Sequence, residues 1–185
     1  ANQCALWKTD CEKCEHLQEY PRCCFNGNTK NNYKKKKAAF TSVSRMIITT
    51  PSNWLANEVK KSFLSKYPIL TVYDAIDLNI FKPTASDFKT VHGIGSQQMI
   101  LSVANVWEKR KGLDDIVELS KVLDSNKVLV IVGVDEDQKK KLPTDIIAIK
   151  RTANLDELVK IYSAADVFVN LSVEETFGMV TAEAL

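Results

Sequence analysis

The sequence predicts an α/β protein built on parallel sheets, and three observations carry that prediction. From residue 99 onward, short apolar runs alternate with segments of helical periodicity. The run VLVIVG at 128–133 is continuously apolar, rich in β-branched residues and closed by Gly, as suits a strand buried on both faces. The segment NLDELVKIYSAA repeats apolar residues at i, i+3, i+4 and i+7 through Leu155, Leu158, Val159 and Tyr162, with Asn154 placed to cap the helix.

The elements follow in chain order. Residues 1–32 are rich in Cys, Asn and Lys and read as loop. YKKKKAAF (33–40) reads as part of a surface helix and RMIITT (45–50) as a strand. PSNWLANEVKKSFLSK (51–66) reads as a helix with Ser52 as N-cap and Leu55, Val59 and Phe63 on one face, and ILTVY (69–73) as a strand. The polar stretch 81–98, with Pro83, Gly93 and Gly95, reads as a linker into a second unit. Beyond it come the strand MILSVA (99–104) and a helix carrying Leu113, Ile116, Val117 and Leu123. The strand at 128–133, a short polar helix (135–142) and the strand IIAI (146–149) follow. The helix capped by Asn154, the strand DVFVNL (166–171) and a closing helix from about Gly178 complete the order. In such a sheet, ligands sit outside the carboxyl ends of the strands. Residues 102–112, 133–135 and 171–180 are therefore expected to converge.

Hydrophobic content of 45% and charged content of 26% are those of an ordinary globular chain. No apolar run is long enough to span a bilayer. The N-terminal ANQCALWKTD lacks a signal-peptide layout, so the expected location is cytoplasmic. A net charge of +2 is too small to indicate a nucleic-acid partner. The charge is uneven, with nine basic and four acidic residues in 1–50 against sixteen and nineteen in the rest, which suggests two units. The tetralysine 34–37 reads as a solvated helix face. HGIGS lacks the Lys-Ser/Thr of a P-loop, and the absence of G-x-G-x-x-G counts against a dinucleotide site.

Two carboxylates, Glu175 and Glu183, flank the start of the closing helix. The first amides of a helix attract anions, and Phe177, Gly178, Met179 and Val180 would supply them, with Gly178 permitting close approach. Glu183, four residues beyond Met179 and three beyond Val180, shares their face about 5–8 Å along the axis. The spacing suits a diphosphate on the amides, a ribose at Glu183 and a sugar near Glu175. Arg110 and Lys111, just before the helix that follows the 99–104 strand, could neutralise a diphosphate leaving group. Taken alone, each feature reads equally as solvated surface charge.

All five cysteines lie within residues 4–24. Their odd number and close clustering argue against a disulfide framework. Cys4, Cys11 and Cys14 form C-x6-C-x2-C, one ligand short of a closed structural zinc site. Cys23, Cys24 and His16 are the other candidates for a fourth ligand, and free thiols remain the alternative.

At these residues the chain resembles the family 4 retaining glycosyltransferases of the GT-B fold. Glu175 and Glu183 match the family's Glu-x7-Glu signature, and KGL at 111–113 is similar to its phosphate-contacting lysine segment. TPSNWLANEVKKSFL and DAIDLNIFKP resemble the segments that end its N-terminal domain. CEKCEHLQEYP resembles a Cys-rich insert of the colanic-acid branch, enzymes of exopolysaccharide assembly, and that likeness suggests a fourth Cys upstream of residue 1.

The resemblance implies parts of two Rossmann-like domains. Residues 1–90 would be the end of an acceptor-binding domain with its insert and linker, and 91–185 the start of a nucleotide-sugar donor domain, in an internal fragment of a longer enzyme that is inactive alone. It implies a hexosyltransferase moving sugar from a nucleotide-diphosphate donor to a glycan or lipid-linked acceptor in polysaccharide biosynthesis. Glu183 would bond the donor ribose, Glu175 would lie by the sugar and phosphate, and Lys111 would stabilise the diphosphate, with no metal needed for chemistry. Lipid-linked acceptors would bring peripheral contact with the inner face of the membrane. The position six before the lysine, an arginine in much of the family, is Asn105, which leaves Arg110 to supply that charge. Two other readings stand beside this one: a glycoside hydrolase using the Glu pair, for which the basic loop has no task, and a zinc-binding module without enzyme activity.

Overall fold

The structure is a computed structural model and describes residues 28–185. The chain divides into two compact units, Ala1–Asp74 and Ala75–Leu185. The cysteine cluster lies outside the described residues.

In the first unit, α1 (Thr29–Thr41) carries the lysine run and buries none of its residues. Strands β1 (Ile48–Thr50) and β2 (Ile69–Thr71) pair in parallel, Ile48 opposite Ile69, with α2 (Asn53–Lys60) between them in sequence. Ser52 caps α2 as expected, its side chain accepting from the Leu55 amide at 3.2 Å. The helix stops at Lys60, short of the 51–66 span expected from the sequence. The chain from Lys61 to Tyr67 turns through successive bonds that include Ser62 N to Val59 O and Tyr67 N to Leu64 O. Ser62 competes for the backbone there, donating to Val59 O and accepting from the Leu64 amide.

The second unit holds a four-stranded parallel sheet. Its strands are β3 (Gln98–Val103), β4 (Lys127–Val132), β5 (Ile146–Ile149) and β6 (Val167–Phe168), in the order β5-β4-β3-β6. The strand periodicity of two sorts the core into two layers. Met99, Leu101, Val103, Val128, Val130 and Val132 face α6 (Leu155–Ala164) through Ile161. Ile100, Leu129, Ile131, Ile146 and Ala148 face α4 (Leu113–Ser120) through Ile116. Burying a side chain of this kind stabilises the fold by about 1.5–3 kcal/mol, so the two central strands dominate its stability.

Three expectations are refined. The polar stretch 81–98 contains α3 (Phe88–Val91), and its Phe88 and Ile94 are buried in the layer facing α6. The strand expected over 166–171 pairs only at Val167 and Phe168, opposite Ile100 and Leu101. Beyond that pair, Val169 still donates to Leu101 O at 2.8 Å. The core-facing stripe of α6 runs through Leu158, Ile161 and Tyr162, Val159 is also buried, and Leu155 is exposed.

The strand order places a switch point. The chain steps outward from β3 to β4 to β5, then returns to lay β6 on the other side of β3. Right-handed crossovers running in opposite directions put α4 and α6 on opposite faces. The helices that follow β3 and β6 therefore leave on opposite sides, and the loops after these two strands meet at their carboxyl ends, the place where sheets of this kind take ligands.

Candidate functional site

The two loops at the switch point are clasped together. The loop after β3 is fixed first by Trp107, whose indole Nε1 donates to Val132 O at 2.9 Å, while its carbonyl accepts from Gln138 Nε2 at 2.6 Å. Gln138 belongs to α5 (Glu136–Lys141) and completes a capping box with Asp135. Residues Lys109–Lys111 then form a single 3-10 turn, ended by Gly112 at φ 75°. The Val173 amide of the β6 loop donates to Arg110 O at 2.9 Å. A Cβ on Gly112 would stand 2.5 Å from Leu171 O, so the loops approach closely enough here to require glycine.

That clasp brings Lys111 to Glu175, with Nζ 2.6 Å from Oε1. The two residues are 64 positions apart in sequence and both side chains are largely shielded. Burial alone would raise the Glu175 carboxyl. The Lys111 hydrogen bond and charge, with hydrogen bonds from Ser172 and Asn170, outweigh burial and hold it below the usual carboxylate range. Asn170 also organises the loop itself, accepting from the Ser172 amide and donating to Thr181 Oγ1, each at 3.0 Å.

Arg110, expected beside Lys111 as a second cation, turns to Glu108, with Nε 3.2 Å from Oε2. Gly178, at φ 92°, opens α7 (Met179–Glu183), and its carbonyl accepts from Thr181 and Ala182 at 2.9 and 3.1 Å. Phe177, Gly178, Met179 and Val180 form the junction of the β6 loop with this turn. Glu183 is bonded not to a cation but to Tyr162 on α6, whose hydroxyl donates to Oε2 at 3.0 Å. Burial first, and then the Glu183 charge and hydrogen bond, push the Tyr162 hydroxyl far above its ordinary value, so it remains a donor at any working pH. Chemically, the arrangement is a shielded cation between two loops, paired with an ionised carboxylate that a stronger anion could displace, and a second carboxylate held on the adjoining turn.

The profile of the glycosyl transferases group 1 family matches residues 85–185, just over half of the chain. The chain belongs to the group 1 glycosyl transferases. N-acetyl-α-D-glucosaminyl L-malate synthase of Bacillus anthracis is 27% identical over 147 residues, 75% of this chain and 39% of that protein. Among solved structures, sucrose-phosphate synthase of Thermosynechococcus elongatus superposes with a TM-score of 0.63 at 21% identity, covering 91% of this chain and 44% of its own. HepE of Anabaena, in complex with UDP and glucose, gives 0.63 at 15% identity, covering 82% and 46%. The fold of this group 1 member is accordingly that of the GT-B glycosyltransferases. The chain spans less than half the length of these relatives.

Sequence reasoning did not assign site roles to Tyr162 or Gly112. Tyr162 sits in the apolar stripe of α6, and the signal was its hydroxyl, which needs a partner once the ring is buried. Gly112 follows the basic turn directly and precedes a helix, the position where a left-handed residue is needed. The candidate zinc ligands Cys4, Cys11 and Cys14 fall outside the described residues. Among the described residues, no group of three or more His, Cys, Asp or Glu side chains could hold a metal ion, and no helix is long and apolar enough to cross a membrane.

Proposed function

We propose that this chain carries the donor site of a retaining glycosyltransferase that uses a nucleotide-diphosphate sugar. The observation that carries the reading is the Lys111–Glu175 pair, held between the two switch-point loops. In this reading the donor diphosphate displaces Glu175 from Lys111, and the released carboxylate turns to the sugar. As the bond from the anomeric carbon to the diphosphate breaks, charge develops on the leaving oxygen. Lys111 stabilises that charge without rearrangement, because its position is already fixed by the clasp. The acceptor hydroxyl attacks from the face the diphosphate leaves, its proton passing to the departing phosphate oxygen, so configuration is retained.

Arg110 adds positive potential once Glu108 yields it. The amides of Phe177, Gly178, Met179 and Val180 line the phosphate side, and Glu183 accepts from the ribose hydroxyls. Residues 1–90 are read as the end of an acceptor-binding domain with its linker. Acceptors are glycans or lipid-linked glycans of polysaccharide assembly, whose membrane location suits the lysine-rich face of α1. The clustered cysteines would hold a structural zinc apart from the chemistry.

Glu175 is unsuited to one of the two roles in the hydrolase alternative, the general acid. A glycosidase's general acid needs a carboxyl held above its ordinary pKa, and Glu175 is held below it.

Calorimetric titration of UDP and GDP into the full-length protein in EDTA tests the reading. Micromolar binding of one of them is expected, and NMR of the first-formed product is expected to show the donor's anomeric configuration. Failure of both nucleotides to bind a folded sample would remove the donor assignment.

A further inference from the structure

Tyr162 packs its ring into the core, but packing does not account for its hydroxyl. Its ring is fixed edge-on against Phe81 at 6.3 Å and tilted against Phe168 at 5.9 Å. Its hydroxyl has a backbone acceptor available in Val180 O, at 3.3 Å. The shorter bond nevertheless goes to Glu183 Oε2, at 3.0 Å. A carboxylate only accepts and a phenol has one proton, so the direction of that bond is fixed. Glu183 closes a five-residue helix, and a glutamate there without a partner would sample several rotamers. Ordering it on ligand binding would cost affinity.

We propose that Tyr162 is a positioning residue for the donor ribose, its hydroxyl holding the Glu183 carboxylate in the rotamer that receives the ribose hydroxyls. The inference rests on the donor reading above. One carboxylate oxygen is tied to α6, so the acid reaches the nucleoside already ordered. The tyrosine itself touches no substrate. Its contribution passes entirely through Glu183.

The test is a double comparison in the full-length protein. Tyr162→Phe keeps the ring and removes only the hydroxyl. UDP and GDP are titrated into wild type, Tyr162→Phe, Glu183→Ala and the double variant, each alongside its 2′,3′-dideoxy analogue, with thermal midpoints recorded. Tyr162→Phe is expected to weaken the natural nucleotide by up to about tenfold, the scale of ordering one side chain on binding. It is expected to leave the dideoxy analogue within twofold of wild type, and to add nothing once Glu183 is Ala.

Equal losses for both nucleotides, an undiminished affinity, or loss of folding in Tyr162→Phe would each overturn the proposal and assign the hydroxyl to the core. Wild type binding neither nucleotide would overturn the donor reading together with this one. Sensitivity to Glu183→Ala without sensitivity to Tyr162→Phe would overturn the positioning role alone.

Discussion

Glu175 is the carboxylate that the proposed chemistry would use, and its environment sets a pH dependence. Its carboxyl is held below the ordinary value near 4.5 despite burial, because Lys111, Ser172 and Asn170 favour the charged form. A depressed folded pKa contributes stability that is complete above the unfolded value and lost as pH falls through the folded one. Glu175→Gln is therefore expected to be less stable than wild type by roughly 1 kcal/mol at neutral pH, where Lys111 loses its charged partner. The difference should shrink as pH falls below about 4.5, which denaturant melts of both proteins at pH 7 and pH 3.5 would check. A constant difference across that range would mean that the pair does not form. Glu175 and Lys111 were both legible as candidates, because each lies in a loop at the carboxyl end of a predicted parallel strand, where ligands gather, and each matches a motif position of the family. Their direct contact was not legible. It depends on strand order, and the same two loops would lie apart had β6 paired outside β5.

At the scale of elements, the site is made by close approaches of backbone that only glycine allows. Gly133, at φ 96°, ends β4 where an added Cβ would stand 1.7 Å from Ala104 O. Gly112, at φ 75°, meets Leu171 O at 2.5 Å. Gly95, at φ 61°, has open space around it. All three Gly→Ala changes place an L-residue in a left-handed conformation, at about 1–2 kcal/mol. Only the first two also collide with backbone. Gly95→Ala is expected to lower stability by about that amount, and Gly112→Ala and Gly133→Ala by at least about twice as much, in equilibrium denaturation. Equal effects at the three positions would show that the loops relax apart freely. The central strands β3 and β4 were plain in the sequence, since continuous apolar runs buried on both faces have one common explanation. α3 was hidden because its one buried residue, Phe88, stands in a largely polar stretch, in a helix too short for a periodic signal. The end of α2 was hidden because Ser62 draws the backbone away from the helix through its own side chain, an effect that an apolar stripe running on to Phe63 masks.

At the scale of the molecule, the second unit carries a two-layered core and the switch point. In the first, the described buried residues are few, among them Ala56 and Tyr67. The family match falls on the second unit, and the loops that the strand order brings together are those that hold Lys111 and Glu175. The account's central claim is that this pair marks the diphosphate position of a nucleotide-sugar donor. The most direct test compares UDP with uridine, and GDP with guanosine, in wild type and Lys111→Ala by calorimetry at low salt. The account predicts that wild type prefers the diphosphate over its nucleoside by at least about 100-fold, and that Lys111→Ala loses most of that preference while binding the nucleoside unchanged. A Lys111→Ala protein that keeps the full preference would contradict it and place the phosphates elsewhere.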